Sequence, residues 1–259
     1  MSHKCHSLLL ERKGRPLAQL ASISCDFDHG HVIPAHFHPE DQLVFASKGV
    51  MTVRTKQGIW VVPPLRAVWI PAGTPHSIAM SGRVSMRTLY FLPNFVRGLP
   101  AKCFVINVSS LLSELIVHAC KFPRLNKKVP IERRIIEIVV DQLQAARSIP
   151  LRLPHPSDAR AMRIVRALLA DPGEQRTLER LCKDCGASKR TIERLFIAET
   201  KMIFGKWRQQ LRLLHALQML ASGEKVTGVA LDAGYSSPSA FISMFRKQLG
   251  TTPTRYFQS

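Results

Sequence analysis

The chain has 259 residues, 46% of them apolar and 21% charged, with 37 Lys plus Arg against 18 Asp plus Glu and a net charge of +19. That length exceeds the ~100–200 residues at which single cores commonly stop, which points to two domains, and no apolar run approaches the ~20 residues that would span a bilayer as a helix. A balance this basic attracts polyanions, nucleic acid above all; the excess is spread along the chain, +6 over residues 1–99, +5 over 100–154 and +8 over 155–259, so charge alone does not mark the segment that touches DNA.

The N-terminus, "MSHKCHSLLLERKGRPLAQL", has a three-leucine apolar run and no small-residue cleavage site, so it does not read as a secretory signal. The six cysteines, Cys5, Cys25, Cys103, Cys120, Cys182 and Cys185, are scattered, which predicts reduced thiols in a cytoplasmic protein. Residues 20–97 read as β. Runs such as "MTVRT", "IWVV" and "SMRTLYF" are rich in β-branched and aromatic residues, and "KQG", "PAGTP" and "SGR" separate them as turns. Many short strands at close spacing predict a sandwich or small barrel.

Within this segment lies "GHVIPAHFHPEDQLVFASKG", Gly30 to Gly49. His36 and His38 stand at i and i+2, which on a strand turns both imidazoles to one face. Together with "PAGTPH", ending at His76, the spacing resembles the two motifs of the cupin barrel. In that superfamily two His and a Glu of the first motif join a His of the second to bind a divalent metal. The resemblance puts His36, His38, Gln42 and His76 at those positions. Gln42 is the departure: a carboxamide is neutral and a poorer metal ligand than a carboxylate. Glu40, an even number of residues from His38, could compensate, though Pro39 leaves the local backbone open. Three readings follow: a metal enzyme such as a dioxygenase, a metal-dependent sensor using His36, His38 and His76, or a metal-free effector pocket, and the sequence favours the metal-free pocket, because Gln42 replaces the carboxylate ligand.

Residues 98–157 read as a helical connector and linker. Leu111, Leu112, Leu115, Ile116 and Ala119 follow helical spacing, as do Ile131, Ile135, Ile138, Val139 and Leu143. The stripes Leu112–Leu115–Ala119 and Ile135–Ile138 suit a partner helix, hence a homodimer, and equally suit packing on their own barrel. "SIPLRLPHPSD", 148–158, has three prolines in eleven residues and reads as a linker.

Residues 158–259 read as all-α. In "TLERLCKDCGASKRTIERLFIAET" a short helix with Leu178 and Leu181 meets a turn at Gly186, and a second helix starts at Ser188, a suitable N-cap. Ile192, Leu195 and Phe196 share one face; Lys189, Arg190, Glu193 and Arg194 fall away from it. That is a helix-turn-helix pattern. "VTGVALDAGYSSPSAFISMFRKQLG" repeats it: Val229 and Ala230 precede Gly234, Ser237 caps a second helix, and Pro238 takes its first position. Phe241 and Phe245 face the core, while Ser239, Ile242, Ser243 and Arg246 lie outside. Between the two runs "FGKWRQQLRLLHALQMLAS", with Trp207, Leu211, Leu214 and Leu217 on one stripe. At 1.5 Å per residue that helix is roughly 27 Å long, a spacer able to hold two recognition helices about one DNA turn, roughly 34 Å, apart. The Cys182-x-x-Cys185 pair has no second pair to complete a zinc site, and both sulfurs fall where small apolar residues pack, so they read as buried hydrophobes.

"SKRTIERLF" and "ALDAGYSSPSAFISMFRKQLGTTPTRYF" resemble the first recognition helix and the second motif of the DNA-binding domain of the AraC/XylS family of bacterial transcription regulators. The resemblance covers the last hundred residues. It implies seven helices, entry into two successive major grooves of double-stranded DNA, and residence at the bacterial nucleoid. Carried over by position, Arg190, Glu193 and Arg194 are base readers of the first helix and Ser239 and Ser243 of the second. Lys189, Pro238 and Ile242 flank them, and Arg246 and Lys247 contact phosphate. Small Ser residues depart from the longer polar side chains common there, which leaves most sequence reading to the first helix. "WVVPPLRAVWIPAGTPHSIAMSGRVSMRTLYF" further resembles a subgroup of cupin-bearing members that includes a regulator of nitroimidazole resistance; the resemblance implies control of a neighbouring transporter gene, as a repressor like that regulator.

The expectation is therefore an α+β multidomain protein. It has a cupin-like effector barrel over 20–97, a connector over 98–157, and an AraC-type DNA-binding domain with two helix-turn-helix motifs over 158–259. The expected activity is transcriptional regulation in response to a small molecule, with no catalysis and no membrane partner. The different-class alternative is a metal-dependent cupin enzyme fused to a nucleic-acid-binding module.

Overall fold

The computed structural model describes residues 19–149 and 151–258. Residues 1–18, where the absence of a signal is read and where Cys5 stands, lie outside the described residues, as does Pro150 of the predicted linker. The chain divides into two compact units, one of residues 1–55 with 60–151, the other of 56–59 with 152–259. No helix among the described residues is long and apolar enough to cross a membrane.

The first unit is built on strands β1 (Leu20–Phe27), β2 (Val32–His36), β3 (Asp41–Thr55), β4 (Gly58–Val62), β5 (Arg66–Ile70), β6 (His76–Phe91) and β7 (Phe104–Asn107). Helix α1 (Ser110–Ala119), β8 (Arg124–Leu125), α2 (Pro130–Ala145) and β9 (Ser148–Ile149) follow. The strand path is β8-β1-β6-β3-β5-β7-β9, and it is antiparallel throughout. A closed barrel is the sequence expectation; the sheet is open. Its path ends on two strands of two residues each, β8 and β9, which offer too short a ladder to carry pairing round to closure.

The frame is the β3–β6 pair. It runs from Asp41 opposite Phe91 to Arg54 opposite Ser77, with register shifts between Ala46 and Lys48 and between Lys48 and Val50. Gly49 sits at the second shift with φ +75°, and a Cβ there would meet the Arg83 carbonyl oxygen at 2.5 Å, so the bend requires glycine. The bend lets each long strand serve two neighbourhoods: β6 pairs β1 along its later half and β2 along its earlier half. Burial alternates along β6 from His76 to Arg87, the period-2 signature of a sheet with one buried face.

The same sheet takes up the apolar faces of α1 and α2. Leu112, Ile116 and Ala119 join Ile136, Val139 and Leu143 in one core with Leu43, Trp69, Leu89 and Phe91. Each fully buried large side chain contributes about 1.5–3 kcal/mol. Of the two stripes read from the sequence, Leu112 and Ala119 are buried, whereas Ile138 is 43% exposed; α2 turns Ile136, Val139 and Leu143 inward instead. Cys103, Cys120, Cys182 and Cys185 are free thiols.

After the short strand β10 (Arg152–Pro154), the second unit is helical: α3 (Ala159–Ala170), α4 (Leu178–Cys185), α5 (Lys189–Leu195), α6 (Phe204–Ala221), α7 (Val226–Asp232), α8 (Pro238–Leu249) and α9 (Pro253–Gln258). Side-chain oxygens start four of them: Asp158, Thr177, Ser188 and Ser237 accept from the backbone N–H of Arg160, Arg180, Thr191 and Ala240. Gly186 and Gly250 end α4 and α8 in the left-handed conformation. Trp207, Leu211, Leu214 and Leu217 of α6 are buried, as read, and the Trp207 indole N–H donates to the Pro154 carbonyl at 2.8 Å.

Candidate functional site

In the second unit two helix pairs, α4–α5 and α7–α8, flank α6. Ile192 and Phe196 are fully buried, which fixes the inner face of α5. Lys189, Arg190 and Arg194 are therefore exposed, with Glu193 half-buried. The α-helix ends at Leu195, and from Phe196 to Thr200 the backbone widens to a π turn, closed by Lys201 at φ 61°. Lys189 is not free to reach outward. Its ammonium lies 2.5 Å from a Glu179 carboxylate oxygen of α4 and 4.0 Å from Glu193. Glu179 is correspondingly held down to about 2, chiefly by that hydrogen bond from Lys189.

On α8, Phe241, Met244 and Phe245 turn inward, and the two phenyl rings lie 5.7 Å apart. Ser239, Ser243, Arg246 and Lys247 are exposed, Pro238 and Ile242 half-buried. Ser239, Ile242, Ser243, Arg246 and Lys247 line one open groove with Thr252. Arg190, Arg194, Arg246 and Lys247 enter none of the ion pairs among the described residues, so four cations stand available to an external anion. Cys182 and Cys185 are buried; burial pushes the Cys182 thiol up to about 11, so neither an exposed thiolate nor a metal ligand is presented there.

In the first unit His36, His38 and His76 converge. One ring nitrogen from each lies within 4.8 Å of the others. The register does this, since His36 at the end of β2 is paired with His76 at the start of β6. Two tethers hold the intervening loops: the Gly73 N–H donates to the His38 carbonyl at 2.8 Å, and Asp41 accepts from the N–H of Ala72 at 2.9 Å and of Asn94 at 3.1 Å. Asp41 is a site-building residue that sequence reading passes over, because its partners are backbone groups.

All three rings are oriented alike. The Nδ1 atoms of His36, His38 and His76 each lie 2.8 Å from a backbone carbonyl, those of Pro34, Glu40 and Thr74. A carbonyl only accepts, so Nδ1 carries the proton and Nε2 keeps its lone pair. The His76 Nε2 is buried without a hydrogen-bond partner. Burial, followed by the neighbouring His36 and His38, holds the His76 imidazole down at about 3, and burial also lowers His38.

Gln42 completes the arrangement. With its single hydroxyl proton on the Leu43 carbonyl, Thr88 accepts from the Gln42 amide nitrogen, 3.0 Å away. In that orientation the amide nitrogen also meets the Tyr90 hydroxyl at 3.0 Å and the amide oxygen faces His38 Nε2 at 3.1 Å. His38 thus has an oxygen acceptor at each ring nitrogen. Two arrangements reconcile them: the amide turned end for end, so that its nitrogen donates to Nε2 and the Thr88 and Tyr90 hydroxyls donate to its oxygen, or, with the amide as placed, a cation at Nε2, for which a metal ion bound jointly by Nε2 and the amide oxygen serves better than a second proton, which burial opposes. The donor set of three imidazole nitrogens and one carboxamide oxygen fits a four-coordinate borderline-soft divalent ion such as zinc. Glu40, which the sequence left open as a substitute ligand, lies outside the converging set; it bears on His38 through its backbone carbonyl and its nearby negative charge.

Comparison with known proteins bears on both units. A family model for an AraC-like ligand binding domain matches residues 24–200, and one for a helix-turn-helix domain matches 181–259. The HTH-type transcriptional regulator NimR of Escherichia coli is 36% identical over 86% of this chain and 81% of its own length. The HTH-type transcriptional regulator RipA of Corynebacterium glutamicum is 33% identical over 40% of this chain and 31% of its own. A crystal structure of fatty-acid-bound ToxT from Vibrio cholerae aligns with 94% of this chain and 96% of that one at 13% identity and a TM-score of 0.39, too distant to bear on either site.

Proposed function

The chain belongs to the AraC-type helix-turn-helix transcriptional regulators, DNA-binding proteins with a ligand-binding domain and not enzymes, and from that premise we propose how its two sites work. The α4–α5 and α7–α8 pairs act as two helix-turn-helix motifs. α5 and α8 enter successive major grooves, with α6 as the spacer. Arg190 and Arg194 read bases, each able to grip a guanine through O6 and N7. Arg246 and Lys247 hold phosphate, and Ser239 and Ser243 add little discrimination. Glu193 is the remaining polar reader of α5, while Lys189 is withdrawn by its pairing with Glu179. The observation that carries this reading is the pair of serine-capped helices, each presenting unpaired cations outward from a phenylalanine-anchored inner face.

The cupin-like first unit senses. His36, His38, Gln42 and His76 form its effector site, and the two-acceptor environment of His38 favours a divalent metal ion there over a metal-free pocket. Bound, such an ion would supply the positive charge that the Gln42 oxygen and the His38 ring lack. Ligand binding shifts DNA affinity only as far as it prefers one of two conformations. Exposed Leu111, Ile131 and Ile138 on α1 and α2 are the surface proposed for a second copy, which light-scattering mass on the purified protein decides. The subgroup resemblance of residues 60–91 supports repression of a neighbouring transporter gene in the bacterial cytoplasm as the physiological role. Sequencing the DNA fragments retained by the protein tests the whole reading: one recurrent bipartite site upstream of its own gene neighbourhood supports it, and uniform recovery of unrelated fragments overturns it.

A further inference from the structure

Resting on the two-motif reading, we infer that Gln175 and Arg212 fix the distance and angle between the two recognition helices, and so set the spacing of the half-sites the protein accepts. The helix α6 joins the pairs along the chain, but one covalent link leaves the second pair free to swing at the turn Ser222–Lys225, where Gly223 has φ +91°. A second link would remove that freedom, and the loop 171–177 supplies it.

This loop leads into α4, whose N-cap is Thr177. Two arginines of α6 hold it on one side. The Arg208 guanidinium donates to the carbonyls of Arg176, at 2.7 Å, and of Glu174; that of Arg212 donates to the Glu174 carbonyl at 2.9 Å. On its other side the loop touches the turn between α7 and α8. The Gln175 amide donates to the Gly234 carbonyl at 3.1 Å, and its oxygen accepts from Arg212 at 3.4 Å. The fit is close at two glycines. A Cβ on Gly173 would meet the Asp232 carbonyl oxygen at 2.4 Å, and one on Gly234, at φ +77°, would meet Arg212 Nη2 at 2.7 Å and Gln175 Nε2 at 2.8 Å. The loop that starts the first pair is thus wedged between the spacer helix and the turn of the second pair. Chain and wedge close a triangle, and a triangle fixes the angle that a single link leaves open. The Nη groups of Arg208 and Arg212 donate to the loop carbonyls, which commits these guanidiniums to the loop rather than to an external anion.

Gln175 is itself exposed, so Gln175→Ala removes the strut without opening a cavity. The test uses the full chain and a duplex selected by the wild-type protein from a randomised pool, then re-spaced by one and two base pairs between half-sites. Each base pair moves a half-site by ~3.4 Å and turns it by ~35°. Wild type should lose about tenfold or more in affinity per added or removed pair, the scale of a mismatched contact. Gln175→Ala should bind the original spacing more weakly and the altered spacings at nearly the same strength, with half-site base preferences and melting temperature unchanged. Arg212→Lys, which keeps the charge but cannot span Glu174 and Gln175, should show the same flattening; Gln175→Glu, which keeps an acceptor for Arg212, should retain part of the preference. A steep wild-type preference that survives both Gln175→Ala and Arg212→Lys overturns the inference alone. A wild-type protein indifferent to spacing overturns the two-motif reading, and the inference with it.

Discussion

Acidification should unlock the first unit through His76. This ring is 1% exposed and held down to about 3, against an ordinary value of 6.5. A histidine whose folded value is depressed contributes stability above its unfolded value and loses it as pH falls toward the folded one. The affected window is therefore pH 6.5 down to 3. Between pH 7 and pH 5 the unfolded ring takes up most of a proton while the folded ring takes up almost none, which costs the fold about 2 kcal/mol by linkage. The groups facing His76 in the cluster are His36 and His38, and burial lowers His38 as well, so the neighbouring ring adds in the same direction. The assay is urea denaturation at pH 7 and pH 5 in EDTA, with the unit followed by hydrogen exchange of β6, for wild type and for His76→Gln. Wild type should lose about 2 kcal/mol more than the variant over this interval. Equal losses in the two proteins would refute the account of a buried neutral ring and, with it, the argument that the cluster resists a second proton.

Other outcomes follow from the same geometry. Zinc added to the chelator-treated protein should raise the melting temperature of wild type, and His38→Ala or His36→Ala should abolish that shift; a shift that persists in both places the ion elsewhere. Arg194→Ala should weaken cognate DNA by about 10–100-fold, the 1–3 kcal/mol of a bidentate guanine contact, while random duplex changes far less; equal losses on both would make Arg194 a phosphate contact. Lys247→Ala should weaken all sequences alike and flatten the slope of log affinity against log salt by ~1, measured by fluorescence anisotropy across a salt series. Gly49→Ala should destabilise the first unit by at least about 1–3 kcal/mol, since it combines a positive φ with a Cβ pressed on the Arg83 carbonyl, and calorimetry would show it.

Much of the second unit was legible because its signals are local. Ser188, Gly186, Ser237 and Pro238 act within four residues of themselves, so cap, turn and first helical position can be read without knowing any distant partner. The three histidines were legible too, as residue types at suggestive spacing. What brought them together was not: the His36–His76 pairing depends on β6 reaching past a bend at Gly49, and alternation along a strand says nothing about which strand lies beside it. The face of α2 was ambiguous for a different reason. Ile131, Ile135, Ile136, Ile138, Val139 and Leu143 are apolar on more than one side, so periodicity admits two stripes, and packing against Leu112 and Ile116 selects one. Arg208, Arg212 and Gln175 were invisible because their partners are carbonyls, which every residue has.

An aspartate would cap α5 or α8 as well as a serine does. At positions 188 and 237 it would also set a full negative charge at the mouth of helices that carry no acid in their first turn and whose peptide dipoles point their positive ends outward. Hydroxyl caps keep those ends attractive to a polyanion while still closing the backbone's open N–H groups. Thermal stability alone would favour the carboxylate at these positive helix ends; repulsion by the duplex works the other way, so Ser188→Asp and Ser237→Asp should leave the fold intact and weaken the hold on DNA.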